Sequence, residues 1–475
     1  MKHLSLFKQL FLKQPLRALN QEAHTTSQRS IGLFQLTMLG IGATIGAGIF
    51  VIMNEAVPIA GPAITLSFLL AGITAGLTAL CYAELSSMMP GSGSSYSYTY
   101  ATLGELPAYL IASCLMLEYG VSAATVAVGC SQYINQFLQH IFNWEIPATL
   151  ASSTEPGSLF NLPAVILVIG CCFLLLRSVR EFAFVSAIIV MIKIVILGMF
   201  IAIALNSFHA ENLHPFMPHG ISGIGAASAS VFFSYIGIDA ISTAGNDVRN
   251  PSRNLPLAIV FTLILVTTIY GLTALAAVGA QPYTSFQNQV AGMSVILQNL
   301  THARWPSIIL SIGAIVSIFS VTLIVIYGQT RMLMTMSDDG MLPKIFAKTH
   351  AKTQVPVANT LIVCFFVALL AAFFPLHVLA ELTCLGTLVI FFVVSLAVLI
   401  LRKTQANIPR KFRVPFSPLI PLLSLACCLY LIANLPQQTY RLFVIWLGFA
   451  GVIYFLYSFK HSKLKIEKNT APSFD

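Results

Sequence analysis

Long apolar stretches alternate with short polar segments along this chain of 475 residues. A helix needs about 20 apolar residues to cross the hydrocarbon core of a bilayer, and twelve such stretches can be placed along the sequence. They predict an all-α polytopic membrane protein. The predicted spans cover residues 31–53, 59–86, 106–130, 161–178, 182–206, 220–245, 256–280, 305–335, 357–375, 377–401, 417–435 and 440–459.

The composition agrees with this reading of the apolar pattern. The chain is 57% hydrophobic and only 9% charged, whereas soluble domains carry about 25% charged residues. The first 30 residues are basic, are interrupted by Pro15, and contain neither the apolar core nor the cleavage site of a signal peptide. We therefore expect residues 1–30 to remain as a cytoplasmic segment.

Positive charges are distributed unevenly between the two sides of the predicted spans. With the N-terminus inside, the 25 lysines and arginines fall on inner segments or inner helix ends, except Lys193, Arg304 and Arg441. Cytoplasmic loops of membrane proteins carry such an excess. The pattern predicts a multi-pass protein of the inner (plasma) membrane, with a cytoplasmic tail at 460–475 and both termini in the cytoplasm.

The first predicted span contains a glycine-rich run at residues 40–50, Gly-Ile-Gly-Ala-Thr-Ile-Gly-Ala-Gly-Ile-Phe. Each glycine weakens a helix by about 1 kcal/mol relative to alanine, so Gly40, Gly42, Gly46 and Gly48 predict a broken helix. Unpaired backbone groups survive at membrane depth only inside protein or beside a cavity, and transporters bind solutes at such breaks. The alternative is close helix packing, which Gly42 and Gly46 would also serve.

The sixth predicted span contains a second candidate break. Gly237 lies at its middle, and Asp239 follows two residues later. Interrupted helices at equivalent positions of two halves indicate an inverted-repeat transporter. We therefore expect a 5+5 inverted-repeat fold, with repeats at residues 31–206 and 220–401 and two further helices at 402–459. This pairing favours a functional break over packing alone.

Two helix breaks at one depth also indicate the kind of ligand. Helix N-terminal ends attract an anion, and the carbonyls at C-terminal ends attract a cation. A zwitterion satisfies both sets of groups, and an α-amino acid is the commonest such solute. A small organic cation or an inorganic ion would also fit the carbonyls.

Four segments in the correct order resemble the amino acid–polyamine–organocation superfamily, and within it the bacterial, twelve-span form of the cationic amino acid transporter family. This resemblance covers nearly the whole chain and implies a fold of the leucine-transporter type. The matching segments are residues 40–50, residues 79–100, Asn-Pro-Ser-Arg-Asn-Leu-Pro at 250–256, and Gly-Gln-Thr-Arg at 328–331 leading to Ser-Asp-Asp-Gly-Met-Leu-Pro at 337–343.

The resemblance implies a substrate site at the two breaks. Main-chain N–H groups of Gly46, Ala47 and Gly48 would hold the carboxylate of an L-amino acid, and Phe233 would cover the pocket. Where the family usually has a pair of acids, this chain has Gly-Asn-Asp at 245–247, which puts a role for the first acid in doubt. The carbonyls implied for the ammonium group are those of Ile41 and Thr44 in span 1 and of Phe233 and Ile236 in span 6.

Three of the ionisable residues within the predicted spans are candidates for proton coupling or substrate contact. A charged Lys193 would cost about 2.5–3.5 kcal/mol at the bilayer centre, and burial disfavours the charged form, so we expect it to carry a proton. The alternative is a structural lysine that donates to carbonyls of the first helix. Glu118 would contact the substrate or pass protons, or pack against a neighbouring helix. Asp239 would join a proton relay or cap the broken half of span 6.

The remaining polar residues predict no catalytic chemistry. Glu84, Arg331 and Asp338 are interpreted as packing and gating groups at the inner face. His209, His214 and His219 recur in an outer loop without a metal-binding context, and the nine cysteines are interpreted as small packing residues. We expect no enzyme activity, no cofactor, no metal and no nucleic-acid partner.

The sequence therefore predicts a secondary amino acid transporter that works by alternating access. Its expected partners are an L-amino acid, protons and the lipid bilayer. Proton-coupled import is the leading hypothesis because of Lys193. The alternative is an exchanger of a cationic amino acid for its decarboxylation product. The substrate side chain and the oligomeric state stay open at this point.

Overall fold

The predicted all-α fold is confirmed by a computed structural model, which describes residues 10–14, 31–89, 95–151, 158–177, 182–239, 241, 248–287, 289, 291–350 and 355–464. Within these ranges the only extended pairing is an isolated bridge between Ile31 and Val248. The α-helices of eight or more residues are α1 Leu33–Thr44, α2 Ala47–Ala60, α3 Ile64–Met88, α4 Ser95–Thr102, α5 Glu105–Met116, α6 Ser122–Phe142, α7 Leu162–Arg177, α8 Phe182–Asn206, α9 Gly220–Val231, α10 Pro251–Ala280, α11 Gly292–Thr301, α12 Arg304–Asp338, α13 Val357–Phe373, α14 Leu376–Thr404, α15 Leu419–Ala433 and α16 Gln437–Ile453.

Many of these helices are long and apolar enough to cross a membrane. Among the described residues there are seven such helical runs, and α1, α7, α13 and α15 are shorter apolar helices. Each predicted span coincides with one of these helices or, for the sixth span, with α9. The chain is therefore a polytopic membrane protein. The seven runs are Gly48–Met88, Glu105–Phe142, Ile188–Asn206, Arg253–Ala280, Arg304–Asp338, Leu376–Thr404 and Gln437–His461.

Several helix boundaries differ from the predicted spans. The first span was placed to end at residue 53, but α2 continues to Ala60 and only the turn Gly61–Ala63 separates it from α3. The third was placed to end at residue 130, but its helix runs on to Phe142. Hydropathy marks the apolar part of a helix, and these helices continue as hydrogen-bonded backbone beyond it.

The polar run before the third span is not the loop that its serines suggest. Residues 95–102 form the helix α4, and all of its side chains are buried, while residues 90–94 lie outside the described part of the chain. Its tyrosine rings supply apolar packing, and the hydroxyls of Tyr96 and Tyr100 donate to carboxylates. Tyr100 donates a hydrogen bond of 3.2 Å to Glu105, which also accepts one of 2.8 Å from Tyr454.

Helix packing follows a pattern that supports the two predicted repeats. The first span packs against the seventh (α1 with α10), and the sixth packs against the second (α9 with α3). Likewise α8 packs against α1, α10 and α12, whereas α14 packs against α9, α3 and α6. Among the first ten spans, exchanging each span with the one five places away converts each first contact into the second. The repeat boundaries at 31–206 and 220–401 stay a prediction.

A buried ion pair joins the second span to the segment after the tenth. Arg402 donates from Nε to Glu84 Oε1 at 2.9 Å, and the main-chain N–H of Val414 donates to Glu84 Oε2 at 2.7 Å. The Arg410 guanidinium also lies 3.2 Å from this carboxylate. Glu84 is only 1% exposed, so its charge depends on these partners. This geometry supports the interpretation of Glu84 as a packing group.

We predict that Glu84→Ala lowers the free energy of unfolding by about 3 kcal/mol, because breaking a buried ion pair leaves its partners' charges uncompensated. Thermal unfolding of the detergent-purified protein measures this change. Glu211→Ala removes an exposed carboxylate in the connection between α8 and α9 and is the matched control. Equal melting temperatures for the two variants would contradict the prediction.

Candidate binding site at the two helix breaks

The break predicted in the first span is confirmed. The helix α1 ends at Thr44 and α2 begins at Ala47, and the two residues between them leave helical geometry. Gly46 has φ −120° and ψ −137°. The N–H of Ile45 still reaches the carbonyl of Ile41 at 2.7 Å, whereas that of Gly46 turns back to the carbonyl of Thr44 at 2.8 Å.

The break exposes the N-terminus of α2 without any side-chain cap. Its N-cap is Gly46, which has no side chain that could accept a hydrogen bond from the first N–H groups. No acidic residue lies in the first turn either. The first N–H groups of any helix lack partners within it, and they form the positive end of its dipole. An anion bound at this end would satisfy them.

The break predicted in the sixth span is also confirmed. After α9 the chain forms the 3₁₀ turn Phe232–Tyr235, and Ile236 is then extended with φ −61° and ψ 137°. Gly237 has φ +101°, and a Cβ atom there would lie 2.7 Å from the carbonyl oxygen of Ala43. Both facts require glycine. Residues 240 and 242–247, which include the Gly-Asn-Asp departure, lie outside the described part of the chain.

The two breaks lie in direct contact. A Cβ atom on Gly48 would lie 2.4 Å from Cα of Ser234. One on Gly46 would lie 3.0 Å from a methyl group of Val321 in α12. The glycines of the first break therefore bring two non-helical backbones together beside α12. Residues of both breaks line a shared space.

That space is a cavity of about 210 Å³. It is smaller than the pockets of about 300–1,000 Å³ that hold drug-sized ligands, so it favours a small solute. The cavity lies between the breaks, the third span and α12. Its lining residues are Ala43, Thr44, Gly46, Gly48, Glu118, Tyr119, Ser122, Val126, Phe233, Ile236, Gly237, Asp239, Val321, Ile324, Val325, Tyr327 and Gly328.

Glu118 projects into this cavity from a wider helical turn that the sequence did not reveal. Residues Leu117–Val121 form a π-helical segment between α5 and α6, a feature often found at functional sites. Glu118 is 2% exposed, and among the described residues its Oε2 atom has no hydrogen-bond partner. The carboxyl of Asp239 lines the same cavity and is close enough to interact with it electrostatically.

Lys193 lies behind the first break and not in the cavity. Its side chain is 2% exposed, and Nζ donates a hydrogen bond of 3.3 Å to the carbonyl of Gly42 in α1. This is the contact expected of a lysine that holds carbonyls of the first helix, the alternative to a proton carrier. Because Lys193 donates to a carbonyl of α1, a change in the charge of Lys193 would alter a contact that holds this helix.

Seven of the ten residues predicted for the site line the cavity. Ile41 and Lys193 do not, since Ile41 faces an apolar groove between α1 and α10. The side chain of Ala47 lies outside the described part of the chain. Phe233 is 5% exposed and lines the cavity beside the second break, where a covering side chain is expected. The seven are Thr44, Gly46, Gly48, Glu118, Phe233, Ile236 and Asp239.

The sequence analysis missed Tyr270, which lies in α10. Its hydroxyl is 2.8 Å from the carbonyl oxygen of Thr44 and 3.0 Å from that of Ser234. Together with the N–H of Gly46, this contact gives the Thr44 carbonyl two donors. The role predicted for Thr44 as an ammonium ligand is thereby weakened in this conformation. A tyrosine within an apolar helix gives no signal that its hydroxyl meets broken backbone.

Comparisons with known proteins find similar membrane transporters. A family described as Amino acid permease matches residues 31–452. The methylthioribose transporter of Bacillus subtilis (strain 168) is 42% identical over 96% of this chain and 99% of its own length. The branched-chain amino acid permease of the same organism is 40% identical over 97% and 99%. Cationic amino acid transporter 2, vacuolar, of Arabidopsis thaliana is 36% identical over 79% and 60%.

We predict opposite stability effects for two glycine-to-alanine changes. Gly48→Ala places a Cβ atom against the Ser234 main chain, and overpacking of this kind costs about 1–3 kcal/mol. Gly271→Ala lies in α10 with no atom within 4 Å of the new Cβ, and the added helix propensity stabilises it by up to about 1 kcal/mol. Thermal unfolding in detergent measures both. A stable Gly48→Ala variant would show that the two breaks do not touch.

Proposed function

Because this chain belongs to the amino acid permease family, within the amino acid–polyamine–organocation superfamily, we propose that it imports a neutral, apolar L-amino acid together with a proton. The observation that carries the proposal is the contact between two helix breaks. They offer N–H donors and carbonyl acceptors around a small cavity at membrane depth. Substrates of broken-helix transporters bind at such a position.

The two charged ends of an amino acid match the two breaks. The carboxylate binds the N–H groups of Ala47 and Gly48 at the start of α2, where the helix dipole favours an anion. The N–H of Gly46, also predicted as a donor, is already engaged by the Thr44 carbonyl at 2.8 Å. The ammonium binds the carbonyls of Phe233 and Ile236 at the second break. The Phe233 carbonyl has one main-chain donor, the N–H of Ile236 at 3.3 Å, whereas the Thr44 carbonyl already has two donors.

Among the described residues the Oε2 atom of Glu118 has no hydrogen-bond partner, so it offers a further acceptor for the ammonium. It is buried, and the lining of the cavity contains no lysine or arginine among the described residues. Asp239 lines the same space, and a negative charge on one of the two carboxyls disfavours a second on the other. Glu118 and Asp239 are therefore the groups in the cavity that receive the ammonium or a proton.

The walls beyond the breaks favour an apolar substrate side chain. Val126, Val321 and Val325 project into the cavity from α6 and α12. A relative that aligns over nearly its whole length is named as a branched-chain amino acid permease, whereas the Arabidopsis cationic transporter aligns over 60% of its own length. Valine, isoleucine and leucine fit these walls without placing a charge on them.

Proton coupling acts through Lys193 and the first break. When protonated, the lysine donates to the Gly42 carbonyl and holds α1 in place. When neutral, its link to the carbonyl weakens and α1 is free to shift. Each proton that binds or leaves Lys193 thus changes the position of the helix that carries half of the substrate site.

The two exposed residues of the described cavity lining, Ile324 and Tyr327, lie in the half of α12 that ends at Asp338, and each is 39% exposed. The distribution of lysine and arginine supports a cytoplasmic location for that end. We infer an inward-facing conformation, with both termini in the cytoplasm and Phe233 over the pocket. Import then requires the bundle that holds the breaks to rock against the third span and α12.

We predict that Lys193→Ala abolishes uptake driven by a pH gradient in proteoliposomes, because no group then links proton binding to α1. Counterflow of labelled isoleucine against unlabelled isoleucine should remain, since the binding groups are intact. Lys344→Ala removes an exposed lysine after α12 and is the matched control. Unchanged pH-driven uptake by Lys193→Ala would refute the coupling role.

We predict that valine, isoleucine and leucine compete with labelled isoleucine at concentrations at least about tenfold lower than lysine or arginine, a margin within reach of an apolar pocket. A twenty-amino-acid competition panel at two pH values measures this order. Stronger competition by arginine than by isoleucine would instead assign Glu118 and Asp239 to a cationic side chain. Exchange without net pH-driven uptake would favour the antiport alternative.

A further inference from the structure

Tyr270 joins the two broken helices through a single hydroxyl group. Its side chain is fully buried in α10, and its hydroxyl lies 2.8 Å from the carbonyl of Thr44 and 3.0 Å from that of Ser234. The first carbonyl closes α1 at one break, and the second belongs to the 3₁₀ turn of the other. Neither the cavity lining nor the sequence motifs include this residue.

We propose that Tyr270 is a positioning residue whose hydroxyl fixes the two breaks relative to each other and thereby sets substrate affinity. The inference rests on the proposed function, because it concerns the site that binds the amino acid. It adds a residue outside that site, on a helix that carries none of the predicted ligands.

The electrostatics of the two breaks require a donor at this place. Carbonyls at the ends of interrupted helices carry partial negative charge, and two that face each other repel. Broken-helix transporters commonly place a coupling cation among such carbonyls. Here the hydroxyl proton of Tyr270, shared between the Thr44 and Ser234 oxygens, removes the repulsion. The protein supplies the donor from its own side chains.

The position of the hydroxyl explains why affinity should depend on it. Thr44 lies just before Ala47, the first residue of α2, where the N–H groups for the carboxylate begin. Ser234 lies between Phe233 and Ile236, whose carbonyls face the ammonium. The path from Thr44 through Tyr270 to Ser234 therefore sets the distance between the two halves of a zwitterion site. Binding without this link must first order the two breaks.

The ring of Tyr270 is held so that its hydroxyl cannot swing away. Phe68 of α3 packs against it with ring centroids 5.6 Å apart. Tyr235 packs edge-on at 5.4 Å. Tyr270→Phe keeps these ring contacts and removes only the hydroxyl, which makes it a sharp test.

Tyr133, in α6, offers a matched control because its hydroxyl contacts α2, the second half of the first span. It is also fully buried, and its hydroxyl donates a hydrogen bond of 2.7 Å to the carbonyl of Phe50 in α2. Tyr133→Phe thus removes an equivalent buried donor from a main-chain carbonyl. That carbonyl lies within a regular helix and not at a break, so the geometry of the site should survive.

The experiment measures KM, Vmax and pH dependence of isoleucine uptake, with thermal unfolding, for the wild type and both variants in proteoliposomes. We expect Tyr270→Phe to raise KM about tenfold, because a buried carbonyl that loses its donor costs a free energy of that scale. Vmax and the pH profile should stay unchanged. Tyr133→Phe should lower the melting temperature by about as much as Tyr270→Phe does, but leave KM within about twofold of the wild type.

A KM for Tyr270→Phe equal to that of the wild type, or equal increases in both variants, would overturn the inference. If Tyr270→Phe does not fold, Tyr270→4-aminophenylalanine restores N–H donors to both carbonyls and should keep KM within about threefold of the wild type. A tenfold rise in that variant also overturns the inference. Absence of amino acid uptake by the wild type counts instead against the proposed function.

Discussion

The need to pair every main-chain polar group at membrane depth governs this structure. A continuous helix meets that need by itself, but two of the spans are interrupted where other spans are regular. Each interruption frees N–H and carbonyl groups that cannot be left in hydrocarbon. The surrounding helices pack so that protein donors or a bound solute complete these groups. The cavity, the glycines and the buried polar side chains all follow from that requirement.

The protein and its substrate divide this task between them. Lys193 and Tyr270, on helices outside the breaks, donate to carbonyls of Gly42, Thr44 and Ser234. The N–H groups at the start of α2 have no such side-chain partner. The permanent donors thus stabilise the carbonyl ends of the breaks, whereas the unpaired N–H groups remain for a ligand that comes and goes. Affinity and conformational change act on the same backbone.

Much of this fold and part of its site could be predicted from the sequence, for identifiable reasons. Glycines at membrane depth indicate interrupted helices, so the sequence predicted both breaks. It also predicted the lining residues Glu118, Phe233 and Asp239. The sequence did not predict the π-helical turn at Glu118, because one extra residue in a helical turn does not change the hydropathy pattern. Tyr270 was missed because its role depends on which carbonyls its helix faces. Such pairings arise only from packing between spans.

The burial of α4 has a consequence for how the chain is made. This helix contacts the first described segment, where the N–H of Gln14 reaches the carbonyl of Tyr100 at 3.4 Å. Glu105, just after it, accepts hydrogen bonds from Tyr454 and from Ser462, the latter at 2.6 Å. Tyr454 lies in the twelfth predicted span and Ser462 just beyond it, so both are synthesised about 350 residues after Glu105. During translation only Tyr100 among these three donors is available early to Glu105. The hydrogen bonding of this early buried carboxylate is therefore completed by residues from the far end of the membrane domain.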